Sequence, residues 1–123
     1  MLLDSNIIIY SFQSSYNYLQ IFVQKNNTCC SAISQVEVLG YPYISEDEKY
    51  YLEACFNTMI VHPVTNQVIQ LAVNLRQQRK MSLGDAIIAA TAITHQQILV
   101  TRNVSDFDWI DGLNVVNPIK IIQ

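Results

Sequence analysis

Apolar residues along the chain follow two alternating rhythms. Short runs at residues 1–3, 28–32, 59–64, 98–101 and 113–116 read as strands, compact and apolar rather than alternating, as strands buried on both faces are. Between them the spacing becomes helical. Residues 6–12 and 16–24 carry their apolar side chains on one face, and residues 33–40 form a short helix stopped by Gly40 and Pro42. Val68, Leu71, Ala72 and Leu75 fall at i, i+3, i+4 and i+7 of an amphipathic helix. Residues 82–96 are apolar nearly all round from Ala86 to Ile93, the pattern of a helix buried at the centre of a domain. Ser45 and Glu48 make a capping box that starts a helix running to residue 56, and Ser82 with Asp85 repeats the signal.

Strands alternating with helices predict an α/β fold: a single domain over residues 1–123, with a central, mostly parallel β-sheet of about four to five strands flanked by helices on both faces. Ligands of such sheets bind outside the carboxyl ends of the strands. The chain carries no repeat, low-complexity stretch or linker.

Composition agrees with this picture, since 50% of the residues are apolar and 14% are charged. No apolar run approaches the roughly 18 residues of a membrane span, and residues 1–4 lack the basic start of a signal peptide, so a soluble, cytoplasmic protein without membrane contact is expected. Cys29, Cys30 and Cys55 form no CxxC motif and read as buried thiols of a reducing compartment. The net charge of −3 offers nucleic acid no general attraction.

The acids are where the pattern breaks. Of ten, Glu46, Asp47 and Glu48 belong to a helix start and Glu53 has Lys49 as an i, i+4 neighbour. Three of the remaining six, Asp4, Glu37 between Val36 and Val38, and Asp85, lie in apolar sequence. An unpaired buried carboxylate costs several kcal/mol, so something positive is expected among them. Asp4 and Asp106 follow the ends of predicted strands, and Glu37 and Asp85 lie in the first turn or two of helices that could leave the same edge. If those ends converge, four carboxylates meet. Oxygen donors of this kind suit Mg²⁺ or Mn²⁺ rather than Zn²⁺. Simpler roles exist for Asp4 as an N-cap, Asp85 as a capping acid and Asp106 as a turn residue, but Glu37 has none.

Four segments, Leu-Leu-Asp-Ser-Asn (2 to 6), Ala-Ile-Ser-Gln-Val-Glu-Val-Leu-Gly (32 to 40), Gly-Asp-Ala-Ile-Ile-Ala-Ala-Thr-Ala (84 to 92) and Val-Thr-Arg-Asn-Val-Ser-Asp-Phe (100 to 107), resemble in order and spacing those of the PIN-domain family, in particular its VapC-like ribonuclease toxins. The resemblance implies that Asp4, Glu37, Asp85 and Asp106 are the catalytic, metal-holding acids, with Asp108 the competitor for the fourth place. Ser5, Asn6, Thr101 and Asn103 match polar positions that orient carboxylates or water, although turn and cap chemistry would also explain them.

The implied activity is a Mg²⁺-dependent (Mn²⁺ possible) endoribonuclease in which activated water opens a phosphodiester to a 5′-phosphate and a 3′-hydroxyl. The implied partners are an RNA substrate, a cognate antitoxin of a VapBC-type pair and a second copy of the chain. Alternatives are a housekeeping RNA-processing nuclease of the same family and a non-catalytic binding module, against which all four acids argue. A phosphoacceptor receiver domain would need paired acids after the first strand, which Asp4-Ser5-Asn6 does not supply.

Four cations bear on RNA. Arg76, Arg79 and Lys80 either hold phosphates or complement the dipole at a helix C-terminus, the simpler role. Arg102 could meet substrate, an acid of the cluster or a partner protein. Tyr10, Phe12, Tyr16, Tyr18, Tyr41, Tyr43, Tyr50 and Tyr51 could stack bases or line a partner's groove, with core and dimer packing the plainer role.

Overall fold

A computed structural model describes residues 1–24 and 27–119. Five strands, β1 (Leu2–Leu3), β2 (Cys29–Ser31), β3 (Ile60–His62), β4 (Leu99–Val100) and β5 (Val115–Val116), form one sheet in the order β3-β2-β1-β4-β5. Every pairing is parallel, with Leu2 opposite both Cys29 and Leu99. The expected α/β architecture is therefore present, with five parallel strands.

Successive strand side chains point to opposite faces, and this divides the core in two. Leu2, Cys29 and Leu99 pack against α5 (Asn66–Gln78) and α6 (Leu83–Thr94). Leu3, Cys30 and Val100 face the other way, toward α1 (Ser5–Phe12), α2 (Gln20–Gln24) and α4 (Glu46–Thr58). The eight-residue α3 (Ala32–Leu39) spans the two layers, giving Ile33 to the first and Val38 to the second. Burial on both sides is why strands this short suffice.

Local chemistry sets the helix boundaries. The capping box at Ser45 and Glu48 is formed in both directions, and the Thr65 hydroxyl caps α5 by accepting from the Val68 N–H at 3.2 Å. Val68, Ala72 and Leu75 are buried as their spacing predicts. In α6, alanines 86, 89, 90 and 92 are buried with Ile88 and Thr91, and small side chains let this helix lie close to the sheet.

One predicted helix is different. Residues 16–24 do not form a single helix: a 3-10 segment, Ser14–Leu19, with Tyr16 at φ −122°, precedes the short α2. Ser14, Ser15 and Asn17 are residues whose side chains compete for backbone hydrogen bonds and disfavour a continuous α-helix.

The three cysteines are free and buried, and burial pushes the Cys30 thiol up to about 12, which makes it a core side chain rather than a nucleophile. Among the described residues no helix is long and apolar enough to cross a membrane.

Candidate active site

The carboxyl edge of the sheet collects the acids because every route to it ends there. Asp4 directly follows β1, and Glu37 sits in the second turn of the helix that follows β2. Asp85 opens α6, the helix that carries the chain back to β4 and so begins at the carboxyl edge, and Asp106 closes the 3-10 turn Val104–Asp106 just beyond β4. Electrostatics links them in series: Asp4 feels Asp85 and Glu37, and Asp85 feels Asp106 and Glu37. All four predicted acids are thus brought to one region.

Asp4 is the most firmly held. Only 5% exposed, it N-caps α1, with Oδ1 accepting from the Ser5 N–H at 2.8 Å. Oδ2 accepts from the Thr101 hydroxyl at 2.6 Å, a contact spanning 97 residues. Burial pushes this carboxyl up to about 6, aided by Asp85 and Glu37 and opposed by the hydrogen bonds from Thr101 and Ser5. Burial likewise raises Asp85 above the ordinary carboxylate range, with Asp106 and Glu37 adding to the rise and a hydrogen bond from Ser82 opposing it. Among the described residues, neither a lysine nor an arginine is among the groups acting on Asp4 or Asp85.

Glu37 corrects the sequence reading. Its apolar neighbours predict burial, yet the residue is exposed, because α3 turns Val38 into the core and leaves Val36 on the surface. What fixes the carboxylate is a hydroxyl: Ser5 Oγ donates to Oε1 at 2.7 Å and lies 2.9 Å from the Ser34 hydroxyl. Gly84 makes room for it, since a Cβ there would collide with Glu37 Oε2. Gly84 and Ser34 were not singled out from sequence. The glycine beside Asp85 in a helix's first turn was the available signal.

Of the four polar positions expected to orient the acids, Ser5 and Thr101 do so directly. Asn103 acts through its backbone, donating to Thr101 Oγ1 at 3.1 Å. Among the described residues the Asn6 side chain reaches no carboxylate; it accepts from the Arg102 N–H at 3.5 Å. Of its anticipated partners only an acid of the cluster lies within the chain, and among the described residues Arg102 donates instead to the Tyr10 hydroxyl at 2.9 Å, with its guanidinium 5.1 Å from that ring's centre.

Beside the acids lies a cleft of about 620 Å³. Its lining includes Arg76, Arg79 and Lys80 together with Asp85, Asp106 and Trp109. Arg76 stands in the last turn of α5 and Arg79 caps it, so the trio complements the helix dipole and faces the cleft at once. A second, apolar groove of about 200 Å³ runs between α1, α3 and α4, lined by Ile9, Val38, Tyr41, Ile44 and Leu52 and rimmed by Glu37 and Glu48.

Residues 1–113 match the PIN-domain family. The chain belongs to that family. A stretch of 46 residues, 36% of this chain, is 46% identical to Ribonuclease VapC1 of Rickettsia felis, and the match spans about a third (34%) of that relative's length. A toxin-antitoxin complex from Klebsiella pneumoniae contains a chain that is 31% identical, with a TM-score of 0.76 over 95% of this chain and 96% of its own. VapBC2 of Rickettsia felis, solved bound to a DNA fragment from its promoter, shares the fold at a TM-score of 0.77 and 23% identity over 94% of this chain and 96% of its own. The resemblance read from the four segments is borne out at the level of family and fold.

The donors available at the PIN-domain edge are carboxylate oxygens, the set a hard divalent cation takes. Among the described residues, no three acidic, thiol or imidazole side chains form a closed metal-binding group as they stand. The fit to Mg²⁺ or Mn²⁺ is therefore one of chemistry: clustered oxygen donors, two of them raised in pKa by burial and mutual repulsion, with no side-chain cation acting on those two.

Proposed function

We propose that this PIN domain is a Mg²⁺-dependent (or Mn²⁺-dependent) endoribonuclease, the toxin of a VapBC-type pair. The observation that carries the reading is the buried Asp4, clamped at both oxygens, in electrostatic contact with Asp85 and Glu37 and with no lysine or arginine of the described residues acting on it. Such an arrangement costs stability in the absence of a ligand, and concentrating negative charge for a bound cation is a role that accounts for it.

Asp4, Glu37, Asp85 and Asp106 would hold the metal, which when bound supplies charge stabilisation at a phosphate and a more acidic water. Thr101 and Ser5 fix Asp4 so that both oxygens keep their direction. Ser5 also orients Glu37, so one serine aligns two of the acids. Arg76, Arg79 and Lys80 supply positive charge for the RNA backbone, which offsets the chain's acidic balance locally.

The toxin reading draws support from the likeness to the Klebsiella toxin-antitoxin chain. The apolar groove with Glu37 and Glu48 on its rim suits an antitoxin segment with apolar anchors and a basic residue. The test is to purify the chain alone and incubate it with total RNA and Mg²⁺ or Mn²⁺. Discrete fragments with 5′-phosphate ends, lost with EDTA and in Asp4→Asn and Asp85→Asn, are expected. Cleavage that survives EDTA or both substitutions overturns the metal-site assignment.

A further inference from the structure

The cleft beside the acids holds a side chain that the proposed chemistry does not use. Trp109 is the chain's one tryptophan; it is half-buried and packs in part against the core layer beneath α6. Its indole N–H donates to the Asp106 carbonyl at 3.0 Å, which fixes the ring relative to that acid. The Arg79 guanidinium stands 5.4 Å from the ring centre, and Arg76 and Lys80 line the same cleft. A rigid aromatic surface, cations within reach of it and acids alongside are the three elements that bind single-stranded nucleic acid: stacking for a base, charge for its phosphate and a reactive edge.

Resting on the nuclease reading, we propose that Trp109 is the base-stacking shelf of the substrate site. It positions the single-stranded RNA nucleotide next to the cleaved phosphate, while Arg79, with Arg76 and Lys80, takes that nucleotide's backbone. Base stacking on an indole outweighs an exposed cation–π contact, so an arriving base displaces Arg79 from the ring. The exposed, unbranched arginine is then free to pair with phosphate. The cleft favours RNA over a protein segment because its lining sets three cations and a single aromatic ring beside the acids Asp85 and Asp106, where the second groove is lined mainly by apolar side chains. Trp109 touches no reacting atom and is a positioning residue.

Because no other tryptophan is present, the ring reports on itself. The Asp4→Asn protein keeps every wall of the cleft and, on the proposed function, leaves RNA intact for titration. A mixed-sequence 12-nucleotide RNA should quench its tryptophan emission, whereas an abasic phosphodiester of equal length and charge should bind without comparable quenching. In the otherwise unaltered chain, Trp109→Leu should raise KM for RNA cleavage about tenfold with little change in kcat, and Trp109→Phe should recover most of the loss. Equal quenching by the two oligomers, or cleavage with an unaltered KM in Trp109→Leu, would overturn the shelf while leaving the nuclease reading standing. Quenching by RNA in a chain that never cleaves would keep the shelf and remove the nuclease. If Trp109→Leu leaves RNA binding intact but abolishes binding of an antitoxin peptide, the surface is a protein site and the shelf is wrong.

Discussion

Strands β1 and β4 lie side by side, and each leads to an aspartate of the candidate site, yet the two aspartates are held in opposite ways. Asp4 comes immediately after its strand, is buried, and has both carboxylate oxygens engaged. Asp106 comes six residues after its strand on an exposed turn, and the hydrogen bonds that fix it run through its main chain, from its N–H to Asn103 and to its carbonyl from Trp109. The floor of the site is thus set by side-chain clamps, and the rim by backbone geometry that leaves the carboxylate to solvent. A charge that must not move is buried at the expense of its ionisation; a charge that must adapt stays wet.

The sharpest way to break this comparison is Asp4→Asn, which should abolish cleavage. Its stability effect has the opposite sign. With the Asp4 carboxyl raised from 3.8 to about 6, the folded chain holds the proton more tightly than the unfolded chain. This contribution is therefore greatest below about pH 4 and is lost as pH rises through 6, an effect of roughly 2–3 kcal/mol before relaxation. In EDTA the native chain should melt at lower temperature at pH 7.5 than at pH 5, a difference that Asp4→Asn should largely remove. Added Mg²⁺ should raise Tm at pH 7.5 in the native chain more than in the variant. Identical pH profiles for the two proteins would show that Asp4 is not the strained charge.

Gly84→Ala comes next. The new Cβ displaces the Glu37 carboxylate and disturbs its bond from Ser5, so activity should fall on the order of 10–100-fold. The helix itself gains up to about 1 kcal/mol from the loss of glycine. Falling activity with a level or rising melting temperature is the expected signature, and unchanged activity would remove Glu37 from the site.

A smaller effect is expected of Thr101→Val, about tenfold on cleavage. It strips Asp4 Oδ2 of its donor and the Asn103 amide of its acceptor. Asp4 should then titrate higher still, moving the acid limb of the pH–rate profile upward; a profile that stays in place would separate Thr101 from Asp4's ionisation. Smallest is the rim: Asp106→Asn should reduce cleavage several-fold, while Asp108→Asn leaves it unaltered. The reverse result would transfer the fourth position to Asp108.

Much of this was legible in the chain, for reasons particular residues show. The stripe of Val68, Ala72 and Leu75 and the box of Ser45 and Glu48 are local, and each is found as its spacing dictates. Asp4, Asp85 and Asp106 were conspicuous because strand ends and helix starts identify the carboxyl edge before any contact is known. Glu37 was named for a partly mistaken reason: apolar neighbours in sequence cannot tell which side of a short helix meets the core. Gly84 and Trp109 were overlooked because their roles lie in distances to other segments, to Glu37 and to Arg79, that no spacing rule supplies.

The bond between Thr101 and Asp4 joins residues 97 positions apart across the centre of the sheet. A ribosome making this chain has delivered Asp4 and Glu37 long before β4 exists to pair with β1, and Asp85 shortly before it. The acids acquire their arrangement only when most of the polypeptide has been synthesised and the fourth strand has docked. On the proposed function, the chain would stay inert until β4 docks, and its activity would begin as an event in folding.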